Sequence, residues 1–223
     1  MKIGGLNRSI GEGSKIGLAL ELDFKHLDGN AFMSRDVYGH LCTNHGSKWQ
    51  LDGRYFDGVG NYVDLGSPAT LKPPYFTIVA WFKTTKATTS DHGDNIYRYI
   101  SYGQELAINR TFAGAGRVSA MYYDSKAVEH QVASVNAYND GLRYFTAMTF
   151  DGSYLKLYVD SEVQSLPTTA SIYYGSGAAA IGRAGDWDGN YFKGLIAEVR
   201  IYNRILAAKE VSFHHNLLKP LFQ

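Results

Sequence analysis

The stretch that decides the fold is Gly194-Leu195-Ile196-Ala197-Glu198-Val199-Arg200-Ile201-Tyr202-Asn203-Arg204-Ile205-Leu206-Ala207-Ala208-Lys209-Glu210-Val211. Up to Tyr202 it alternates with the period of two that marks a strand. A polar turn at Asn203-Arg204 follows. From there Leu206, Val211 and Leu217/Leu218 fall on one helical face, which predicts a single short helix over about 206–217, with Asn203 as its turn or capping residue. Further strands surround this segment. Leu18, Leu20, Leu22 and Phe24 alternate, and Phe76–Lys83 is apolar on both faces, as expected of a central strand between packed layers. Tyr144–Phe150 and Tyr154–Asp160 flank Asp151-Gly152, a hairpin signal. Strand-like runs also occupy Ile96–Tyr102, Glu105–Asn109, Arg117–Tyr123, Ala127–Ser134 and Ala178–Gly182. Strands do not alternate with helices, and no repeat of fixed period runs through the chain. The expected fold is all-β, two antiparallel sheets with one C-terminal helix.

The 223 residues suit one sandwich domain over 16–223, preceded by a Gly/Ser/Lys-rich flexible arm or linker over 1–15. Seventeen Tyr, 11 Phe and 24 Gly favour strands and tight turns. A net charge of +1 gives no electrostatic footprint for nucleic acid, and no run of about twenty apolar residues is present for membrane insertion. Cys42 is alone, which excludes an intrachain disulfide and leaves a buried thiol as the expectation. The N-terminus lacks the apolar core of a signal peptide. The polar stretch Lys25–Gln50 is long for a loop and is expected to carry short strands or a functional edge.

Several segments, in order, resemble the laminin-G-like (concanavalin A-like) jelly-roll family. They are Leu20-Glu21-Leu22-Asp23-Phe24, Asp36-Val37-Tyr38-Gly39-His40 leading to Asn44-His45-Gly46, Phe56-Asp57-Gly58, Thr77–Lys83, Phe150–Asp160, Ala180-Ile181-Gly182-Arg183 and the closing strand and helix. Each is only a strand-and-turn pattern, but their joint order is specific. The resemblance covers about 17–217 and implies a two-sheet jelly roll. It also implies a mostly non-catalytic, sugar-binding or adhesive module in an extracellular, cell-surface or virion-associated setting. Three departures stand out: Ala197 where the family often has Asp, Ala207 where Ser or Thr usually caps the helix, and Ser161 for the usual Gly.

Jelly-roll glycosidases place two carboxylates about 5 Å apart across the sugar bond. The strands Phe76–Lys83, Arg117–Tyr123 and Tyr144–Phe150 contain no acidic residue, and Glu21 and Asp23 read as exposed carboxylates of a peripheral strand. A lyase-type Tyr/His pair, Tyr122 or Tyr144 with His130, finds no support in spacing. No glycosidase or lyase activity is expected. Calcium takes hard oxygen ligands from loops, and Asp28, Asn30 and Asp36 offer them, with Glu198 replacing the Asp absent at 197. The same residues also suit plain Asx turns. His214-His215 are adjacent and read as surface residues.

Sugar binding needs a ring for the apolar face of a pyranose and amides or carboxylates for its hydroxyls. The segment with that combination is Asp186-Trp187-Asp188-Gly189-Asn190-Tyr191, so Asp186, Trp187, Asp188, Asn190 and Tyr191 are the candidate ligand-binding residues. Trp187 has two readings, a platform for sugar or a plug at one end of the sandwich. Tyr173-Tyr174 and Tyr97/Tyr99 are secondary candidates, while Trp81 and Trp49 are expected in or against the interior. The leading expectation is a lectin-like module for a glycan or polysaccharide. The alternative is a structural or adhesion protein contacting other protein modules, and a polysaccharide-degrading enzyme is the third reading.

Overall fold

The chain alternates short strands and turns throughout. The structure, a computed structural model, describes residues 15–99, 102–183 and 190–218. Apart from Lys15, the expected arm lies outside the described residues. In chain order the strands are β1 (Leu18–Asp23), β2 (Ala31–Met33), β3 (Leu41–His45), β4 (Lys48–Gln50), β5 (Gly53–Asp57), β6 (Tyr62–Asp64), β7 (Phe76–Lys83), β8 (Asp94–Tyr99), β9 (Gln104–Ile108), β10 (Val118–Tyr123), β11 (Glu129–Ala133), β12 (Arg143–Phe150), β13 (Tyr154–Val159), β14 (Glu162–Pro167), β15 (Ala179–Ile181) and β16 (Lys193–Tyr202). Helix α1 (Ala208–Leu218) closes the chain. No described helix is long and apolar enough to cross a membrane.

The first sheet has the order β14-β13-β12-β7-β16-β5-β4, with β1 also paired to β16, and the second β11-β10-β9-β8-β15-β6-β3-β2. The predicted two-sheet antiparallel sandwich is therefore what forms. Alternation decides the interior: Phe76, Ile78, Ala80 and Phe82 of β7 and Val199 and Ile201 of β16 meet Leu106, Ile108, Val118, Ala120 and Tyr122 of the second sheet. Burying each such large side chain contributes about 1.5–3 kcal/mol.

β7 is apolar on its other face for a second reason. Val79 and Trp81, with Phe145, Ala147, Leu195, Ala197 and Tyr202, form a second cluster on the outer face of the first sheet, closed by Leu206 and Val211 of the helical segment. The helix begins without a Ser or Thr cap. Instead the Ala207 N–H donates to Glu210 Oε2 at 2.8 Å, and the Arg204 guanidinium holds the same carboxylate at 2.7 and 3.1 Å.

β16 carries a bulge. Ile196 lies opposite Phe82 and Glu198 opposite Trp81, so Ala197 is the extra residue and the alternation shifts by one beyond it. Ile196 faces the main core on one side of the bulge, and Val199 and Ile201 face it on the other. Gly53 of β5 packs here: a Cβ on it would lie 2.8 Å from Ala197 Cα and 2.7 Å from the Ile196 carbonyl oxygen, so only glycine fits.

Other expectations change. β14 was not foreseen. It follows a two-residue turn, in which Asp160 takes the left-handed conformation (φ 48°) beside Ser161, and it pairs with β13 from Val159–Glu162 onward. Trp49 is exposed rather than interior, and its indole N–H donates to the Lys25 carbonyl at 3.1 Å. His214, read as a surface residue, is 2% exposed. It faces the sheet from α1, with Nε2 3.1 Å from the Tyr202 hydroxyl.

Burial, and then the nearby Arg200 charge, push the His214 pKa down from its ordinary 6.5 to about 4. Protonation is thus easier in the unfolded chain. The stabilisation this group confers is complete above pH 6.5 and is lost as pH falls towards 4, by on the order of 3 kcal/mol. Glu198, whose carboxyl burial raises to about 7, gives the opposite trend over the same range, so chemical denaturation of wild type and His214→Gln in parallel is the check: the wild type should lose stability relative to the variant as pH falls from 6.5 to 4.

Candidate functional site

The outer face of the second sheet can be traced from register alone. Thr43 lies opposite Asp64, Asp64 opposite Ala180, and Ala180 opposite Arg98. Arg98 is then opposite Glu105, Glu105 opposite Met121, and Met121 opposite Gln131, which completes one row across seven strands. A bulge at Ile96, between Asn95 and Tyr97, sets β8 into this register.

The centre of the row is charged and buried. Glu105 Oε1 accepts Arg110 Nη1 at 2.5 Å and its Oε2 lies 2.9 Å from Arg98 Nη1 as an ion pair, and all three side chains are less than 5% exposed. Arg110 follows Asn109, which turns the chain in the left-handed conformation (φ 65°). Arg110 Nη2 also lies 3.6 Å from Glu129 Oε1, which accepts the Tyr123 hydroxyl at 2.6 Å. Burial, with Glu129 adding to it, pushes the Tyr123 phenol well above its usual range. Close to this cluster, His92 has its pKa lowered by burial first and by Arg98 next. Sequence reading missed the cluster because Arg98 and Glu105 occupy polar positions of alternating strands, which are normally wet. Two arginines hold both Glu105 oxygens, an arrangement that fixes charge rather than leaving a free carboxylate. Removing one partner strands buried charges, so Glu105→Ala is expected to cost about 3–5 kcal/mol. Glu105→Gln should also lower Tm, whereas a free catalytic carboxylate would tolerate that change in a thermal melt.

At one end of the same face, His45 and Tyr62 are cross-strand partners with rings stacked at 4.2 Å and 8°. β6 lies between β3 and β15, so Arg183, just past β15, reaches the Tyr62 ring from the other side, its guanidinium carbon 4.0 Å from the centroid. Tyr191 pairs with Arg183 by an isolated bridge, and its ring lies 6.4 Å from that of Tyr62. Gly182 makes the turn possible: its φ is 87°, and a Cβ would come within 2.5 Å of the Phe56 ring. Asn190 and Tyr191 are half-buried at this end. The candidates Asp186, Trp187 and Asp188 lie outside the described residues.

The proposed metal ligands fall into two groups. Asp36 and Glu198 both reach β1. Asp36 accepts the N–H groups of Glu21, Tyr38 and Gly39 at 3.0, 2.9 and 3.2 Å, and Glu198 stands opposite Asp23. Glu198 is paired with Arg200 at 2.5 Å, and Arg200 also reaches Glu21 at 3.1 Å. Glu21 and Asp23, expected to be exposed, are therefore partly covered and ion-paired. Burial pushes the Glu198 carboxyl up to about 7, against the pull of Arg200. Asp28 and Asn30 sit apart, on an exposed turn. The buried Arg54 holds that turn through the Leu27 carbonyl at 2.8 Å and lies 4.0 Å from Asp28. Among the described residues, no three His, Cys, Asp or Glu side chains converge as a metal site.

Tyr122 and His130, paired only in imagination from the sequence, are direct cross-strand neighbours stacked at 4.9 Å. Thr168 Oγ1 lies 3.0 Å from both His130 Nδ1 and the Tyr122 hydroxyl, and Asp124 Oδ2 lies 3.1 Å from His130 Nε2. The Tyr122 hydroxyl donates to the Ala170 carbonyl at 2.7 Å. Tyr122 is fully buried, so this chain ties β10–β11 to the 168–170 segment and does not present a base to a substrate. Tyr97 and Tyr99 are likewise buried, and Tyr174 packs on Tyr99 at 5.2 Å with its hydroxyl on the Pro73 carbonyl. Of the secondary candidates, Tyr173 alone is exposed.

A sandwich whose sheets, closing strand and helix follow this order defines the concanavalin A-like class. The chain belongs to the concanavalin A-like lectin/glucanases superfamily, whose family model matches residues 57–212. It is similar in fold to receptor-binding domains of botulinum neurotoxins. One, the serotype D ligand-binding domain in complex with N-acetylneuraminic acid, has a TM-score of 0.70 at 16% identity, over 93% of this chain and 52% of that one. The type C structure, described as dependent for cell entry on two ganglioside molecules, gives 0.72 at 12% identity, over 93% and 53%. A C/D mosaic receptor-binding domain gives 0.70 at 16%, over 90% and 51%. The chain thus spans about half the length of these toxin chains. No curated protein sequence matches it.

Proposed function

We propose that this chain is a non-catalytic glycan-binding module, acting outside the cell, with its ligand held beside Tyr62, Arg183 and Tyr191. The observation that carries this reading is the stack on Tyr62. His45 and Arg183 both lie against the Tyr62 ring, which fixes a guanidinium and the neighbouring Tyr191 ring next in sequence to Asp186, Trp187, Asp188 and Asn190. Rings take the apolar face of a pyranose, and amide, carboxylate and guanidinium groups take its hydroxyls. Likeness in fold to toxin domains described with a sialic acid and with gangliosides supports a glycan as the ligand class. Engagement of both Glu105 oxygens by arginines supports binding without hydrolysis.

A printed glycan array probed with the pure protein tests the class. Stacking one sugar on Trp187 contributes about 1–2 kcal/mol, so Trp187→Ala should weaken binding about tenfold with Tm nearly unchanged. Retention of no glycan, or release of reducing ends or unsaturated products from polysaccharides, would overturn the reading. A large fall in Tm with affinity unchanged would assign Trp187 to packing.

A further inference from the structure

Tyr102 combines a large aromatic side chain with a left-handed backbone, φ 74°. Asn109 and Asp160 share that region, where short polar side chains are tolerated, but a tyrosine there is strained. Ala127, in the neighbouring β10–β11 turn, is also left-handed. Strain of this kind persists only where surrounding contacts impose it, and it gathers at functional positions. At Tyr102 it does one visible thing. The turn from β8 to β9 places the ring against two others, edge-on to Tyr123 at 5.3 Å and tilted against Tyr173 at 5.7 Å.

Three separate segments build this group. Tyr173 is held by its N–H on the Tyr123 carbonyl at 2.8 Å and by the adjoining Asp124–Ile172 bridge. Tyr123 is anchored through its hydroxyl on Glu129 at 2.6 Å. Tyr102 and Tyr173 nevertheless stay 40% and 44% exposed, and the Glu129 side chain 36%. Ala179 lies opposite Tyr99 and Ile181 opposite Tyr97, so β15 runs out towards Arg183 at the end where β8 begins, and Tyr102 stands at the end where β8 finishes.

Ring contact this close leaves no hollow for a cation between the rings, which argues against an aromatic cage. Three rings are also far short of the roughly 1,200–2,000 Å² of a stable protein interface. What remains exposed is ring surface beside a carboxylate, the pairing that suits a sugar's apolar face and hydroxyls. We propose that Tyr102, Tyr123 and Tyr173, with Glu129, form a second pyranose-binding platform at the opposite end of the second sheet from Arg183 and Tyr191. The ligand class rests on the glycan-binding reading, but the site does not depend on the first one.

The test uses the full chain with sialyllactose, lactose, cellobiose and chitotriose as probes, measuring affinity by calorimetry, saturation transfer to the sugar, and Tm. Tyr102→Gly relieves the left-handed strain, so it should raise Tm while weakening affinity about tenfold. Tyr173→Ala should weaken it to a similar degree, and Tyr102→Phe should leave it within about twofold. Binding that falls with Tyr102→Gly but survives Trp187→Ala keeps this platform and removes the first site. The converse result removes this platform and keeps the first. A lowered Tm in Tyr102→Gly with unchanged affinity would make the group packing alone, and a wild-type chain that binds none of the four would overturn both proposals.

Discussion

Glu105 sits between Arg98 and Arg110 with each carboxylate oxygen on a different guanidinium, and the outer face of the second sheet is arranged around that cluster. Burying these three charged groups costs more free energy than any single pair returns, so the arrangement holds only while all partners are present. Its consequence is a closed centre. At the middle of the face the Glu105 carboxylate is held between both arginines and covered, while the exposed rings lie towards its two ends.

The first sheet arrives at a comparable closure by packing. The bulge at Ala197 turns Ile196 and Val199 to the same interior while leaving Leu195, Ala197 and Tyr202 on the other side, where the helical segment covers them. Arg200 pairs with Glu198 and Glu21 on that outer side. One face is thus occupied by a helix and the other by an ion cluster. Rings gather where strands end: His45, Tyr62 and Tyr191 at one end of the second sheet, Tyr102, Tyr123 and Tyr173 at the other.

Much of the fold was legible in the chain. Both-face apolarity marked β7, Asp151-Gly152 marked the β12–β13 hairpin, and the closing segment showed β16 and its helix directly. β14 escaped because Glu162–Pro167 is an edge strand of polar and half-covered residues, specified by pairing with β13 rather than by its own pattern. The site was less legible. Alternation shows which residues share a face but not whether that face is covered, so the buried pairing of Arg98 with Glu105 went unseen and His214 read as a surface residue. Among the tyrosines, Tyr97 and Tyr99 could not be told from Tyr102 and Tyr173 without the bulge in β8 and the turn that follows it. Asp186, Trp187 and Asp188 were singled out by composition alone and lie outside the described residues, and the stack of Arg183 on Tyr62 beside them is something spacing alone does not reveal.

In the binding mode proposed above, ligands meet the ends of the second sheet while its centre and the helix-covered face take no part. Mapping backbone amide chemical shifts during titration with a glycan selected by array tests it most directly. The account predicts shifts concentrated at His45, Tyr62, Arg183 and Tyr191 and at Tyr102 and Tyr173, with Arg98, Glu105 and α1 still. Shifts centred on the Glu105 cluster or on α1 would contradict it.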